Sequence, residues 1–303
     1  MNFAYLISAY TDAPHVKRLV DALHPEAHFF IHVDKKSDIT PFVSLIQGSN
    51  IHFLEDRVAV RWGTITQVDF QMALIKAAIE YPVTFDYLFF LSGQDYPLWS
   101  NEHITRWMES QQGTEFLSGI RIDKDEKSMQ QQRAIYQSFR PLFNLSFLSE
   151  RMNTRLSILY RKVMWMLGRR KRLTLMVGGE QWDLYKGADY WGISQQLASY
   201  IYNMYKSHPE IYRYFKDSFA PSETMMQTIA FNSAEWRKRC ILWEGEYPGL
   251  AALTPLHFII YDPVIKVMDE TDYETLMASG KMFARKLRTG ASDQLVALLD
   301  GRN

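Results

Sequence analysis

Short apolar runs alternate with segments of helical periodicity along the first third of this chain, and no other feature constrains the fold as strongly. The apolar runs predict strands at residues 3–8, 28–33, 51–54 and 86–91. Apolar residues at helical spacing predict helices between them, at residues 13–23, 41–47 and 64–81. Strands that alternate with helices are typical of βαβ units, so we expect an α/β fold with a mainly parallel central sheet flanked by helices.

The remaining chain has two parts. Residues 125–172 carry no strand signal, and their spacing predicts a helical insertion. Beyond Gly179 the alternation resumes, with strands predicted at 190–194 and 241–243, helices at 195–206, 209–215, 223–231 and 272–278, and loops over 245–271. We expect a single domain over 1–303, with a nucleotide-binding half at 1–120, a helical and basic insertion at 121–180, and an acceptor-binding and catalytic half at 181–303.

Charge and cysteine content exclude several functional classes. Lys plus Arg and Asp plus Glu both total 34, so no net charge attracts a nucleic acid, and we expect no nucleic-acid partner. The single cysteine, Cys240, cannot form an internal disulfide or a zinc site. No export signal and no apolar run of membrane-spanning length is recognisable. A cytoplasmic protein is therefore expected.

One segment departs from this charge balance. Residues 151–172 contain eight Lys or Arg residues and no acid, with apolar residues at helical spacing. The segment is either a solvated amphipathic helix that covers the core, or a surface that meets an anionic acceptor or the inner face of a membrane.

Three candidate site residues follow predicted strands. In parallel sheets ligands bind beyond the carboxyl ends of the strands, and Asp34, Trp62 and Asp95 each come just after an apolar run. Asp34 could accept hydrogen bonds from a uracil or a ribose, or serve as a loop cap. Trp62, beside Gly63, could stack on a base or pack in the core. Asp95 lies in a Gly turn and fits turn chemistry and a binding site equally well.

Two carboxylates and a pair of cations complete the candidates. Asp189 precedes a predicted strand, and Glu223 begins a predicted helix with Ser222 as its cap. A carboxylate in a partly closed cleft can take a proton from a sugar hydroxyl, although most such Glu residues are only cap partners. Arg285 and Lys286 are either a solvated pair or the fork and point charge that hold a diphosphate.

The order of these motifs resembles glycosyltransferase family 14, which contains the core-2/I-branching N-acetylglucosaminyltransferases and the peptide O-xylosyltransferases. The segments that carry the resemblance, in chain order, are Phe30-Ile31-His32-Val33-Asp34-Lys35-Lys36, Trp62-Gly63, Leu91-Ser92-Gly93-Gln94-Asp95-Tyr96-Pro97-Leu98, Gly187-Ala188-Asp189-Tyr190-Trp191, Pro221-Ser222-Glu223 with Gln227-Thr228 and Asn232-Ser233, and Phe283-Ala284-Arg285-Lys286-Leu287. They extend over nearly the whole chain. Thr64 stands where the family often has a second Gly, and Leu287 stands where it has Phe.

The resemblance implies a GT-A-like nucleotide-sugar fold and an inverting transfer from a UDP-sugar. N-acetylglucosamine is the first candidate for the transferred sugar and xylose the second. The acceptor would be a glycan or a lipid-linked glycan. By the same resemblance, the donor-binding residues are Asp34, Trp62, Gly63, Arg285 and Lys286.

The resemblance also implies the residues for chemistry. Glu223 would be the catalytic base, Asp189 would help to hold the reacting sugars, and Asp95 and Trp191 would contact the acceptor or a sugar. A non-catalytic module that binds nucleotides or carbohydrates on the same fold remains the alternative.

Metal chemistry has weak support in the sequence. Glycosyltransferases of this fold often carry Asp-x-Asp after the second strand to hold a divalent metal on the donor diphosphate. Here Lys36 replaces the second acid, so we expect no metal and no other cofactor. Asp123 and Asp125 match the pattern literally, and a metal-dependent enzyme using them stays open. The histidines show no zinc spacing, and no Walker loop or Gly-x-Ser-x-Gly motif is present.

Overall fold

The computed structural model describes residues 1–122, 126–143, 145, 147–261 and 264–301. The strands are β1 (Phe3–Ala9), β2 (His28–Val33), β3 (Ile51–Phe53), β4 (Tyr87–Ser92), β5 (Asp95–Pro97), β6 (Glu115–Arg121), β7 (Thr174–Val177), β8 (Glu180–Asp183), β9 (Tyr185–Gly187), β10 (Gly192–Ser194), β11 (Cys240–Trp243), β12 (His257–Ile259) and β13 (Phe283–Arg285). The α-helices are α1 (Ala13–Ala22), α2 (Thr40–Leu45), α3 (Thr66–Ile79), α4 (Asn101–Ser110), α5 (Gln130–Tyr136), α6 (Glu150–Met166), α7 (Gln195–Ser207), α8 (Pro209–Phe215), α9 (Met225–Phe231), α10 (Ala234–Arg237), α11 (Tyr273–Ala278) and α12 (Asp293–Asp300). Short 3₁₀ helices cover Lys127–Met129, Pro221–Glu223 and Glu270–Asp272.

The main sheet has eight strands in the order β11-β6-β10-β4-β1-β2-β3, with β9 paired to β6 beside this path. The half formed by β3, β2, β1 and β4 is parallel throughout. Antiparallel pairing enters at β10, which lies between β4 and β6, and at β9; β11 is again parallel to β6. The structure therefore confirms the predicted α/β fold with a mainly parallel central sheet flanked by helices.

Both faces of the sheet are buried, which explains why its central strands read as continuous apolar runs. Successive residues of β1 point to opposite faces. Ala4 and Leu6 pack in one core with α3, α7 and α9, whereas Phe3, Tyr5 and Ile7 pack in a second core with α1 and α4. The ends of β1, β2 and β4 are consequently fixed from both sides, and the loops that follow them are held in place.

A small second sheet, in the order β12-β13-β5, joins distant parts of the chain. Its members are three residues long. The sequence predicted loops over 245–271, so β12 (His257–Ile259) corrects that expectation. β5 and β13 are likewise absent from the predicted strands, because neither segment is an apolar run and both pair with segments distant in sequence.

The helical insertion consists of α5, α6 and the turns around them, and it is followed by the β7-β8 hairpin. No described helix is both long enough and apolar enough to cross a membrane. The predicted limit at residue 120 falls inside β6, and the limit at 180 falls at the start of β8. The division of the domain at those two points stays a prediction.

Candidate active site

A cleft of about 810 Å³ opens where β1, β2 and β4 end. Ser8, Asp34 and Ser92 line it from those three strand ends. This is the position at which open α/β sheets bind ligands. Among the predicted residues, Asp34, Trp62, Gly63, Asp189, Glu223 and Arg285 all line the same cleft.

Asp34 is fixed by its own loop. Its Oδ1 accepts hydrogen bonds from the backbone N–H groups of Lys36, at 2.9 Å, and Val60, at 3.3 Å. The ammonium of Lys36 lies 3.8 Å from Oδ2 of Asp34 and donates to the carbonyl of Val60 at 2.7 Å. Asp34 is therefore both the loop cap and a cleft residue, and Lys36 occupies the space beside it with a positive charge.

Trp62 is the most exposed aromatic side chain at the cleft, with 77% of its surface accessible. Its ring meets Phe219 edge to face at a centroid distance of 5.5 Å. Gly63 has φ +73°, and a Cβ there would lie 3.0 Å from the Phe219 ring. The backbone N–H of Ala220 donates to the carbonyl of Gly63 at 3.0 Å. The loop that carries Trp62 is thus joined to the segment that precedes Glu223.

Glu223 ends a 3₁₀ turn, Pro221–Glu223, and is not the first residue of an α-helix. The predicted helix start is corrected: α9 begins at Met225, because Thr224 has φ −135° and interrupts the helical backbone. Ser222 makes no capping hydrogen bond. The turn leaves the Glu223 side chain 18% exposed toward the cleft.

Lys186, on β9, holds the Glu223 carboxylate. Its ammonium lies 2.7 Å from Oε2 of Glu223 and 3.0 Å from the hydroxyl of Tyr136. Burial acts to lower the pKa of Lys186, but Tyr136 and the Glu223 charge outweigh it and raise that pKa. Lys186 stays charged and directs one carboxylate oxygen, while Oε1 of Glu223 has no hydrogen bond within the described parts of the chain.

Asp189 is the second carboxylate of the cleft. Its Oδ1 accepts a hydrogen bond from Nε2 of Gln71 at 3.2 Å. Burial, followed by the Glu223 charge, raises the pKa of Asp189 to about 6. Two neighbouring carboxyl groups of which one has a raised pKa are typical of sites that move protons.

Arg285 enters the cleft from β13, where it pairs in register with Asp95 of β5. Its Nη1 lies 3.0 Å from Oδ1 of Asp95, and its guanidinium lies 5.3 Å from the ring centre of Tyr190. Nε2 of His257 lies 3.2 Å from Oδ2 of Asp95, and the backbone N–H of Ser92 donates to the same oxygen at 2.7 Å. Burial acts to raise the pKa of Asp95, but the His257 hydrogen bond and the Arg285 charge lower it below its usual value.

Three predicted contacts lie elsewhere. Asp95 is fully buried, pairs with Arg285 and is not among the residues that line the cleft. Trp191 is 1% exposed and stacks on Phe90 in the core. Lys286, the residue after the end of β13, is not among the residues that line the cleft.

The structure also adds residues that the sequence did not single out. Tyr190 lines the cleft, whereas its neighbour Trp191 is buried in the core. Lys186 immediately precedes the Gly187-Ala188-Asp189 segment, and no local pattern indicates its contact with Glu223. Arg140 and Arg161, from the helical insertion, bring further positive charge to the cleft wall. The cleft wall combines segments that are far apart in sequence, so no local sequence pattern could have found it.

The family assignment follows from comparison with known proteins. The family model described as Core-2/I-Branching enzyme matches residues 3–248. The chain belongs to this family. The resemblance inferred from the sequence motifs is thereby confirmed, and the matched range contains Asp34, Trp62, Asp189 and Glu223 of this Core-2/I-Branching family member.

Individual relatives are more distant. The family member is similar to human xylosyltransferase 2, with 25% identity over 243 residues, covering 77% of this chain and 25% of that protein. It is also similar to xylosyltransferase sqv-6 of Caenorhabditis briggsae, with 24% identity, covering 72% of this chain and 25% of that protein. This chain thus matches about a quarter of the length of these curated relatives. Among solved structures, core-mannan synthase A of Aspergillus fumigatus in its Mn/GDP form has 10% identity and a TM-score of 0.34, over 79% of this chain and 72% of that chain.

Proposed function

We propose that this chain is an inverting glycosyltransferase in which Glu223 is the catalytic base and a UDP-sugar is the donor. The observation that supports the proposal most directly is the Glu223 carboxylate, held on one oxygen by Lys186 and lining the same cleft as Trp62 and Arg285. Membership of the Core-2/I-Branching family supports the same reaction class.

The proposed step is a single displacement at C1 of the donor sugar. Glu223 takes the proton of an acceptor hydroxyl while that oxygen forms its bond to C1. The bond from C1 to the diphosphate oxygen breaks, and UDP leaves with the electron pair on the opposite face. Arg285 faces the growing negative charge, and a fixed cation in such a position stabilises the transition state.

Several residues are proposed to hold the donor. The base of uridine would stack on the exposed indole of Trp62, with Asp34 and Gly63 beside it. Asp95 and His257 would act through Arg285, by fixing the guanidinium against the cleft. Asp189 would hold the reacting sugars through its hydrogen-bonding carboxyl group.

The transferred sugar is N-acetylglucosamine or xylose in this proposal. The resemblance to the core-2/I-branching N-acetylglucosaminyltransferases supports N-acetylglucosamine. The names of the curated relatives support xylose. A thermal-shift screen of UDP-sugars would separate them, because a ligand that binds the native state raises its apparent stability.

No metal is part of the proposed mechanism. Lys36 stands where the second acid of a metal clamp would be, and its charge lies against Asp34. Within the described residues no group of three or more His, Cys, Asp or Glu side chains could hold a metal ion. Asp123 and Asp125, the alternative metal pair, lie outside the described residues.

The decisive experiment replaces the base. In Glu223→Gln the rate constant kcat should fall by roughly 10² to 10⁴, which is the usual contribution of a positioned general base. UDP affinity, measured by calorimetry, should stay within about twofold, since the donor contacts are untouched. Turnover near the wild-type value would remove Glu223 from the role. UDP binding with no product from any acceptor in the wild type would favour the non-catalytic module.

We also propose that the exposed face of α6 lies on an anionic membrane surface from the cytoplasmic side. Met152, Leu159, Val163 and Met166 are exposed, by 37% to 77%, and their spacing places them on one side of the helix. Arg151, Arg155 and Lys162 form an adjoining exposed stripe. An apolar stripe beside a cationic one matches the hydrocarbon edge and anionic headgroups of a bilayer.

Vesicle binding tests this surface. The protein should sediment with vesicles that contain phosphatidylglycerol, and less so as salt rises or with phosphatidylcholine alone. Leu159→Asp should weaken binding by about tenfold, because it places a charge among the apolar residues. The matched control is Leu298→Asp, at a comparably exposed leucine of α12. Equal binding to both vesicle types, or no effect of Leu159→Asp, would exclude this surface.

A further inference from the structure

Two cavities of this protein meet at two arginines. The catalytic cleft, of about 810 Å³, and a groove of about 640 Å³ between α5 and α6 are separate cavities, yet Arg140 and Arg161 line both. One side of α6 therefore borders the cleft, through Asn153, Ser157 and Arg161, and another side of α6 borders the groove. A ligand that passed between the cavities would cross these two guanidinium groups.

The two arginines have no acidic partner among the side chains that the structure describes. Within the described part of the chain, neither Arg140 nor Arg161 makes a salt bridge. The Arg140 guanidinium lies 4.1 Å from the ring centre of Phe219, and its Nε is buried without a hydrogen-bond partner. Burial, and then the charge of Arg161, lower the pKa of Arg140. Two like charges at one place are unfavourable unless an anion joins them.

The groove beyond the arginines is mainly apolar, with Gln131, Ser138 and the side chain of Lys162 as its other lining residues. Ala134 and Ile135 of α5 form one wall, and Lys162, Trp165 and Met166 of α6 form the other. Met166 is 77% exposed and Trp165 43% exposed, so the groove is open along its length. The outer side of Trp165 is covered by the guanidinium of Arg170, 3.2 Å from its ring centre. Such walls suit a hydrocarbon chain better than a sugar.

We propose that cleft and groove together bind a phosphate-linked glycolipid acceptor. The sugar lies in the cleft near Glu223, the phosphate lies between Arg140 and Arg161, and the aliphatic chain lies along the groove. The inference rests on the proposed transfer function and names its acceptor class. The acceptor phosphate is bound and not cleaved, and its site is distinct from Arg285, which faces the donor diphosphate.

The order of the three parts follows from the geometry. Glu223 lines only the cleft, the arginines line both cavities, and Trp165 and Met166 line only the groove. A ligand with a sugar, a phosphate and an aliphatic chain in that order would therefore meet the polar cleft, the two arginines and the apolar groove in the same order. The exposed face of α6 continues the groove outward, so the chain would leave toward the proposed membrane surface.

Direct binding tests the inference without requiring turnover. Calorimetry would compare dodecyl phosphate with dodecyl glucoside, below their micelle concentrations. The wild type should bind the phosphate at least about tenfold more tightly, since hydrogen bonds from guanidinium groups to a charged phosphate are stronger than those to a neutral group. Arg161→Gln should abolish that preference, whereas the matched control Arg106→Gln, on exposed α4, should keep it. Equal affinity for the two amphiphiles would overturn the inference.

A groove variant and the donor supply the remaining readouts. Met166 lies at the surface, so Met166→Asp should not disturb the core. This variant should bind dodecyl phosphate about tenfold more weakly than the wild type and should bind butyl phosphate with unchanged affinity. UDP affinity should be the same in Arg161→Gln and the wild type. If Arg161→Gln weakens UDP instead, the arginines serve the donor and the inference is wrong.

Turnover separates this inference from the proposed function. If the wild type is active, two acceptors can be compared: a sugar linked through phosphate to a medium-length alkyl chain, and the same alkyl glycoside without the phosphate. The kcat/KM for the first should be about tenfold higher, and Arg161→Gln should remove that difference. A wild type that neither transfers nor hydrolyses any UDP-sugar, but prefers dodecyl phosphate as described, would refute the proposed function and leave the amphiphile site standing.

Discussion

The ammonium group of Lys186 lies 2.7 Å from Oε2 of Glu223, and the pair joins β9 to the turn before α9. Both side chains are largely buried, at 6% and 18% exposure, so the ion pair fixes the carboxylate more firmly than a surface pair would. The free oxygen of Glu223 is left toward the cleft. Lys186 is therefore a positioning residue for the proposed base.

Removing that cation should lower turnover more than donor binding. In Lys186→Met we expect kcat to fall by about 10- to 100-fold and the KM for the UDP-sugar to change little, because the base loses its orientation. Lys186→Arg should recover part of kcat, whereas a purely structural role would leave the loss unrepaired. Lys76→Met, at an exposed lysine of α3, is the control. Steady-state kinetics with unchanged kcat in Lys186→Met would contradict the assignment.

Asp95 should contribute to the stability of the folded protein through its ion pair with Arg285. Asp95→Asn leaves the buried Arg285 without its counterion, and breaking a buried pair costs about 3–5 kcal/mol. Because the pKa of Asp95 is lowered, its contribution is present above the unfolded value near 4 and is lost as the pH falls through the folded value. Denaturant unfolding of both proteins should show a large difference near pH 7 that shrinks toward pH 3. A difference independent of pH would refute the charge explanation.

Trp62 should matter for binding and not for folding. Its side chain is 77% exposed, so Trp62→Ala should change the free energy of unfolding by less than about 0.5 kcal/mol. Loss of base stacking should weaken UDP binding by about 5- to 100-fold, since stacking of a base on an aromatic ring is worth about 1–3 kcal/mol. Calorimetric titration with UDP measures this directly, and Trp62→Phe should restore most of the affinity. Unchanged UDP affinity in Trp62→Ala would place the uridine elsewhere.

Activity should survive removal of divalent metals. The charge of Lys36 beside Asp34 and the guanidinium of Arg285 supply positive charge at the cleft without a metal ion. Transfer or donor hydrolysis should therefore remain within about twofold in excess EDTA. Complete loss, restored by Mn²⁺, would favour the metal-dependent alternative that uses Asp123 and Asp125 or another site.

Gly187 should be irreplaceable for folding. A Cβ at this position would lie 2.1 Å from the carbonyl oxygen of Ser118 on the paired strand β6, and the backbone cannot yield as a side chain could. Gly187→Ala should cost at least about 3 kcal/mol, at the upper end of overpacking effects. Gly301→Ala, where the nearest atom is at 3.4 Å, should stay within about 0.5 kcal/mol. Similar melting temperatures for the two variants would contradict this account.

The sequence predicted best where structure depends on neighbours in the chain. The strand at 28–33 and the helix at 209–215 match β2 and α8 residue for residue, because their apolar spacing and Pro signals are local. The strands β5, β12 and β13 could not be found in this way. Each is three residues long and exists only because segments far apart in sequence pair with one another.

The site shows the same limit. Asp34, Trp62, Asp189, Glu223 and Arg285 were found by motif, and all line one cleft. The motif could not distinguish Trp191 from Tyr190, since only the packing of the folded chain buries Trp191 and leaves Tyr190 at the cleft. It also could not show that Asp95 acts through Arg285, a contact between residues separated by 190 positions.

That last contact has a consequence for synthesis of the protein. Asp95 is synthesised after β1, β2 and β4 and 190 residues before Arg285. Until Arg285 follows, the buried carboxylate of Asp95 has no guanidinium opposite it, and the proposed donor end of the cleft lacks its cation. A nascent chain therefore acquires the complete proposed diphosphate site only after β13 has been made, and a product truncated before residue 283 would lack it altogether.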